Sequence, residues 1–215
     1  EALRDGRQVV LLYGCRDASE VYPSSLLPDE VEYVVATDDG SVGHHGFVTD
    51  LAVDARDPRR LFAATANHGV LVTADGGKSW SRVTGGVPDA LALSISVSPG
   101  DPAVVCAGFD RSTLFRSADA GKTWKRSASG LPAEAKITSI VFDPADPATV
   151  YASDGFSGVY RSTNAGVSWK ALNTGLGMRA VNALAISNDG LHLYAATEGG
   201  GVYRLDLNGQ PPPAR

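Results

Sequence analysis

Apolar and small polar residues alternate with a period of two in four segments that recur after residue 48. The segments are residues 48–54, 92–98, 137–143 and 181–187. This alternation is typical of a β-strand that buries one of its two faces. A turn signal follows each segment, Asp-Pro after the first three and Asn-Asp-Gly after the fourth. The pattern therefore predicts four similar strands, each closed by a turn.

Further short strands are predicted in every repeat. The second strands are 61–65, 104–108, 150–153 and 193–197, and the third strands are 69–73, 114–117, 158–162 and 201–205. A fourth strand is predicted to begin at Trp80, at Trp124 and at Trp169. The tryptophans recur about every 44 residues, and a fixed period in this range indicates a repeat architecture. We call each predicted unit of antiparallel strands a blade.

The same eight-residue phrase precedes each predicted fourth strand, and we call it a box. It reads Ser/Thr-x-Asp/Asn-x-Gly-x-Ser/Thr-Trp at residues 73–80, 117–124 and 162–169. The Asp or Asn side chain can accept backbone N–H groups of its own turn, and glycine permits a positive φ there. The tryptophan is expected to pack between neighbouring sheets. We therefore assign structural roles to Asp75, Gly77, Trp80, Asp119, Gly121, Trp124, Asn164, Gly166 and Trp169.

The box resembles the Asp-box, or BNR, repeat of sialidase-like β-propellers, and the resemblance covers residues 48–207. It implies an all-β fold, a small or partial β-propeller of four-stranded antiparallel blades, about four or five in number. In that family the boxes lie on outer turns, away from the catalytic face. Because the fourth unit lacks a box, ring closure is expected to need an N-terminal strand, an oligomer or a partner chain.

Residues 1–47 follow a different pattern. An apolar run at 8–13, a short helix interrupted by proline within 16–27, and a second strand at 31–37 are predicted. Strand, helix and strand in this order indicate a short N-terminal α/β segment of the βαβ kind. Alternatively, residues 33–37 form the second strand of a blade, so that the segment completes the propeller.

Two phrases in this segment resemble the NAD-binding module of the dihydroorotate dehydrogenase electron-transfer subunit, which is ferredoxin–NADP-reductase-like. They are 11–16 (Leu-Leu-Tyr-Gly-Cys-Arg) and 38–50, which begins Asp-Asp-Gly-Ser. The resemblance implies that NAD(P) or flavin would be the cofactor. The module's glycine-rich pyrophosphate turn, flavin domain and iron–sulfur cysteines are missing from the sequence, so no cofactor is expected. The cofactor-binding residues implied by the resemblance are Gly14, Arg16, Asp38, Asp39 and Gly40.

Charge and composition limit the partners and divide the chain. Residues 1–50 contain ten acidic residues and three arginines, and the rest contains fourteen acidic and sixteen basic residues. This shift supports a boundary near residue 48, with 1–47 as the N-terminal segment, 48–207 as the propeller and 208–215 as a proline-rich tail. The net charge of −5 disfavours nucleic acid and anionic membranes as partners. Two cysteines indicate neither a disulfide framework nor a cysteine-rich metal site. These features assign no compartment.

Other chemically interesting residues have simpler structural explanations. Three arginines recur at one repeat position, which suits either carboxylate recognition, as in sialidases, or a structural role. The adjacent histidines 44 and 45 point to opposite faces of an extended chain, which disfavours a shared metal. We therefore predict no catalytic and no metal-binding residue. The residues considered were Arg116, Arg161, Arg204, His44, His45 and, as weak glycosidase candidates, Glu134 and Glu198.

Three functions are consistent with the sequence. The favoured hypothesis is a non-enzymatic binding or scaffold domain that holds a protein or carbohydrate ligand on a propeller face. The alternatives are a fragment or fusion of a flavin- and NAD-linked electron-transfer subunit, and a fragment of a sialidase-like glycoside hydrolase.

Overall fold

The computed structural model describes residues 9–15, 17–27, 31–37, 44–45 and 48–207. This part of the chain is all-β, as the alternating pattern predicts, apart from two single 3-10 turns. Its strands form a small N-terminal sheet followed by four antiparallel sheets, the blades. No helix among these residues is long and apolar enough to cross a membrane.

The N-terminal sheet is parallel and has three strands. They are β1 (Val9–Cys15), β2 (Val31–Thr37) and β3 (His44–His45), with β2 in the centre. Parallel pairing is the arrangement that a βαβ-like order produces. None of the described pairings joins these strands to a blade, so residues 33–37 lie in the parallel sheet and not in an antiparallel blade.

The helix predicted within residues 16–27 is replaced, over the described residues 17–27, by two 3-10 turns, Ala18–Glu20 and Ser24–Leu26. Asp17 caps the first turn by accepting the backbone N–H of Ser19 at 2.9 Å. Pro23 lies between the turns, and proline has no N–H for a continuing helix. The described part of the crossover between β1 and β2, residues 17–27, therefore contains short turns and no α-helix.

Each blade is an antiparallel sheet of consecutive strands, and the predicted strands are found to within one residue of their predicted limits at most ends. Blades 1 to 3 have four strands, and blade 4 has three described strands. The strands are β4 (Val48–Val53), β5 (Leu61–Thr65), β6 (Gly69–Thr73) and β7 (Ser81–Arg82); β8 (Ala92–Val97), β9 (Val105–Phe109), β10 (Thr113–Ser117) and β11 (Lys125–Arg126); β12 (Ile137–Phe142), β13 (Val150–Asp154), β14 (Gly158–Ser162) and β15 (Lys170–Ala171); β16 (Val181–Ile186), β17 (His192–Thr197) and β18 (Gly201–Asp206).

The repeat extends to details of backbone geometry. The first strand of every blade shifts register against its neighbour near its start, as at Val48/Asp50 and at Ala92/Ser94. The same irregularity occurs in β12 and in β16. One prediction was wrong, because the fourth strands begin one residue after each tryptophan. The box tryptophans therefore lie in the loop that leads into the outer strand.

The hydrophobic core lies between the blades. Three clusters of buried residues fill the spaces between blades 1 and 2, between blades 2 and 3, and between blades 3 and 4. The first strands β4, β8, β12 and β16 pack against one another in chain order. Among the described residues, no comparable packing joins blade 4 to blade 1. Over the described residues, the four blades therefore form an arc in which no further strand follows β18.

Candidate functional site

Each box is a loop closed by its own hydrogen bonds. In box 1, Asp75 Oδ1 accepts the backbone N–H of Ser79 at 2.9 Å and the hydroxyl of Thr73 at 2.7 Å. The Thr73 hydroxyl oxygen in turn accepts the N–H of Gly77 at 3.0 Å. The Trp80 indole donates to the Gly77 carbonyl at 3.0 Å. The recurring residues of the box therefore form hydrogen bonds that fix the shape of one turn.

Boxes 2 and 3 repeat the hydrogen bonds that the Asp or Asn side chain makes within its own turn, although the Trp169 indole donates to the Ser127 hydroxyl and not to its box glycine. Asp119 Oδ1 accepts the N–H of Thr123 at 2.8 Å. Asn164 Oδ1 accepts the N–H of Ser168 at 2.9 Å, and its amide nitrogen donates to the Ser168 hydroxyl at 2.8 Å. A neutral amide therefore fills the place of the carboxylate, which means that the negative charge is not required for the turn.

The box carboxylates are held in their ionised form. Hydrogen bonds from the Thr123 hydroxyl and N–H lower the pKa of Asp119 from 3.8 to about 2. The corresponding bonds from Ser79 lower the pKa of Asp75 still further. A general acid or base that works near neutral pH needs a pKa close to that pH. These carboxylates therefore suit turn formation and do not suit proton transfer.

The box charge predicts a specific acid sensitivity. The pKa of Asp119 is lower in the folded state than the ordinary 3.8. Its contribution to stability is therefore complete above that value and is lost as the pH falls through about 2. We expect the melting temperature to fall less between pH 4 and pH 2 for Asp119→Asn than for the wild type. The matched change Asn164→Asp adds a titrating group and should steepen the loss. Parallel Tm curves for the three proteins would contradict this.

The tryptophans of boxes 2 and 3 fill equivalent spaces between blades, which we call slots. Trp124 lies in the first slot, between blades 1 and 2, and donates its backbone N–H to the Gly85 carbonyl at 2.9 Å. Trp169 lies in the second slot, between blades 2 and 3, and donates to the Ser129 carbonyl at 2.8 Å. Both side chains are 4% exposed. Each box therefore fastens its own blade to the preceding one.

Glycines of the inter-blade links make room for these tryptophans. Gly86 and Gly130 have φ values of +91° and +88°. A Cβ on Gly86 would collide with the Trp124 carbonyl oxygen, and a Cβ on Gly130 would collide with that of Trp169. Gly175 is the next residue in the series, with φ +80°, yet nothing lies within 4 Å of the place its Cβ would take. The third slot thus differs from the first two.

The third slot, between blades 3 and 4, is an open cleft of about 280 Å³. The carbonyl of Thr174 stands where those of Gly85 and Ser129 accept a tryptophan N–H, and no described donor reaches it. The sequence shows why, since residues 205–212, which take the box position after the start of β18, do not have the box pattern. The missing box is visible in the sequence, whereas the cleft depends on the packing of blades 3 and 4. The cleft is lined mainly by Val159, Leu172, Leu176, Leu193, Ala195 and Tyr203.

A second cleft, of about 330 Å³, lies outside boxes 2 and 3. Its lining includes Arg116, Asp119 and Arg126, but these residues bond to the protein itself. Arg116 Nε donates to the Ala165 carbonyl at 2.6 Å, and Arg126 donates to the Ala133 carbonyl at 3.1 Å. The cleft is therefore a groove between blades 2 and 3 in which the two arginines are already hydrogen-bonded to the protein.

The three recurring arginines do not converge on one site. Arg116 links blade 2 to box 3 through the bond just described. Arg161 lies 6.0 Å from the ring centre of Tyr151, in blade 3. Arg204 pairs with Asp206 at 3.1 Å, in blade 4. Their separate partners support the structural interpretation over a shared carboxylate site.

The remaining predicted residues are placed as follows. Gly14 lies in β1 and the histidine pair forms β3, whereas Arg16, Asp38, Asp39 and Gly40 lie outside the described residues. The predicted nucleotide site therefore stays a prediction. Within the described part of the chain, no three His, Cys, Asp or Glu side chains are grouped to hold a metal ion. Cys106 is buried, and burial raises the pKa of its thiol to about 12, so it is not a ready nucleophile.

Comparison with solved structures identifies the architecture. An ancestral GH74 enzyme matches over 76% of this chain and 25% of its own, at 22% identity and a TM-score of 0.63. The GH74 enzyme of Niastella koreensis matches over 75% and 29%, at 20% identity and a TM-score of 0.61. YCF48, in a complex with a D1 peptide, matches over 77% and 53%, at 16% identity and a TM-score of 0.58. The fold is a partial β-propeller. At these identities the similarity establishes the fold alone.

The described arc covers about a quarter of each GH74 chain and about half of YCF48. No family model and no curated protein matches this sequence. The resemblance of the boxes to the Asp-box repeat thus rests on their residues, and these comparisons give no support to the resemblance of residues 7–51 to a dehydrogenase subunit.

Proposed function

We propose that this chain is a non-catalytic binding module of the Asp-box propeller type, and that it binds a protein partner at the open end of blade 4. The observation that carries the proposal is the exposure of Val202 in β18. The equivalent residues of blades 1 to 3 are Val70, Leu114 and Val159. They pack against the next blade and are 0%, 0% and 3% exposed. Val202 is 68% exposed. An apolar position that is buried in every other repeat suits a surface that a partner covers.

The edge of β18 supports the same location. The third strands of blades 1 to 3 each pair with an outer strand, whereas β18 is the last described strand of its sheet. A free strand edge offers backbone N–H and C=O groups to an added strand. A polypeptide therefore suits this end of the arc better than a carbohydrate. YCF48, whose fold is similar, is a precedent for a propeller that binds a peptide.

The polar residues of the arc favour binding over catalysis. The box carboxylates are engaged in their own turns, and the recurring arginines have separate partners. Glycoside hydrolysis normally uses two carboxyl groups on either side of the scissile bond. Glu134 precedes blade 3 and Glu198 lies in the turn between β17 and β18, so the two belong to different parts of the arc.

Two alternatives are separated from this proposal by simple assays. The GH74 neighbours make a glycoside hydrolase fragment the second candidate, which predicts release of sugar from xyloglucan or from fluorogenic sialosides. An electron-transfer fragment predicts flavin absorbance in the purified protein or quenching of NADH fluorescence. Turnover, bound flavin or NADH binding would contradict the proposed function.

Peptide display tests the proposed surface. Random peptides selected on the wild-type protein should lose binding at least tenfold on the Val202→Asp variant. Val202 is exposed, so the substitution is expected to leave folding intact. The matched control is Val167→Asp, because Val167 is 54% exposed in box 3, away from blade 4. Peptides that bind Val202→Asp as well as wild type would place the binding surface elsewhere.

A further inference from the structure

We infer that the third slot receives a tryptophan side chain that a protein partner presents on an extended, box-like segment. This inference rests on the proposed binding at blade 4 and names the feature of the partner that is recognised. It starts from the equivalence of the three slots, two of which are already filled by the chain itself.

The walls of the three slots are built from the same repeat positions. The four positions come from the third strand, the end of the outer strand, and two places on the second strand of the following blade. All but one of the residues at these positions are apolar. They are Val70, Val83, Val105 and Ala107 in the first slot; Leu114, Ser127, Val150 and Ala152 in the second; and Val159, Leu172, Leu193 and Ala195 in the third. A tryptophan occupies the first two slots.

The third slot has polar groups at the positions that make hydrogen bonds in the other slots. The first two tryptophans donate a backbone N–H to a carbonyl of the inter-blade link, and Thr174 holds that carbonyl in the third slot. Arg116 donates from Nε to the Ala165 carbonyl, four residues before Trp169. Arg161 occupies the Arg116 position on blade 3. For an incoming segment, the Thr174 carbonyl can therefore accept the backbone N–H of the tryptophan. Arg161 can donate to the carbonyl of the residue four positions before that tryptophan.

The free space agrees with an aromatic occupant. Nothing lies within 4 Å of the position that a Cβ on Gly175 would take, whereas a tryptophan carbonyl lies against each of its two counterparts. The cleft measures about 280 Å³ and is lined mainly by apolar side chains. An indole buries a large apolar surface and anchors protein interfaces more often than other side chains.

None of the tryptophans within residues 1–215 is placed to fill this slot. The sequence contains three tryptophans, all in boxes, and Trp124 and Trp169 are buried in their own slots. Residues 208–215 contain no aromatic residue. Trp80 belongs to the box of blade 1, at the other end of the arc. The occupant that we infer is a segment of the protein partner with the order Gly-x-Ser/Thr-Trp, as in boxes 1 to 3.

A peptide copied from box 3 is a direct probe. Residues 162–171 of this chain (Ser-Thr-Asn-Ala-Gly-Val-Ser-Trp-Lys-Ala) are synthesised with a fluorescent label and titrated with the full chain, with anisotropy as the readout. We expect saturable binding that weakens at least tenfold when the peptide's tryptophan is replaced by alanine. Leu176→Arg, which places a charge in the lining of the slot, should abolish binding. Val167→Asp is the matched control and should leave binding unchanged, because Val167 is 54% exposed and does not line the slot.

Equal binding of the tryptophan and alanine peptides, or no binding of either, would overturn the inference. If the displayed peptides of the previous section bind while the box peptide does not, the tryptophan slot is wrong and the proposed function stands. A dimer of the wild-type chain that disappears in Trp80→Ala would also overturn it, because the occupant would then be a second copy. Circular dichroism of Leu176→Arg verifies its fold, and the alanine peptide tests the inference independently of that variant.

Discussion

Replacing Trp169 by alanine is expected to lower the free energy of unfolding by about 3–5 kcal/mol, the usual cost of deleting a buried tryptophan side chain. Trp169 is 4% exposed and packs in the cluster shared by blades 2 and 3. Because Trp169 packs in the cluster that joins blades 2 and 3, its truncation leaves a cavity in the interface between them. Urea unfolding followed by circular dichroism measures the change.

Trp80→Ala is the matched control for this experiment. Trp80 occupies the same box position and donates its indole N–H to the Gly77 carbonyl, whereas the Trp169 indole donates to the Ser127 hydroxyl. The Trp80 side chain is only partly buried in blade 1. Its removal should therefore cost clearly less than that of Trp169. Equal losses in the two variants would mean that the box tryptophans stabilise their own turns and not the interfaces between blades.

The second large effect is expected at the glycines of the inter-blade links. Gly130→Ala places a Cβ against the carbonyl oxygen of Trp169, at a φ of +88°. Steric overlap and the positive φ together are expected to cost about 2–5 kcal/mol. Gly175→Ala introduces the same residue at a φ of +80°, but the space there is open, so the cost is about 1–2 kcal/mol.

Because the backbone strain is similar in the two variants, the difference between their stabilities measures the steric cost of the filled slot. Both glycines have nearly the same φ and the same place in the repeat, and of their two slots, the second and the third, only the second contains a tryptophan. The comparison uses the midpoint of urea unfolding for both proteins and for wild type. Similar midpoints for Gly130→Ala and Gly175→Ala would show that the third slot is as full as the second.

Much of the arc was predictable because local sequence and tertiary packing agree. Alternation placed the first strands, Asp-Pro turns closed them, and the repeat period assigned the rest. The start of the fourth strands was predicted one residue too early, because Trp124 and Trp169 pack into slots before the chain pairs with the third strand. The helix expected within 16–27 does not form over residues 17–27, where Pro23 separates two short turns.

The candidate site was less accessible from sequence. A missing box is visible as an absence after residue 205, but the resulting cleft depends on how blades 3 and 4 pack. The exposure of Val202 has the same origin, since its sequence context matches that of the buried Val70 and Val159. Alternation shows that a residue faces a sheet surface, and it does not show whether another sheet covers that surface.

Backbone hydrogen exchange of the free protein tests the open fourth blade most directly. We expect slow exchange for the amides of Trp124 and Trp169, which are bonded across filled slots. We expect fast exchange for those amides of β18 that face away from β17, and slow exchange for the equivalent amides of β14, which pair with β15. Protection of the outer edge of β18 equal to that of β14 would contradict the account, because blade 4 would then be complete without a partner.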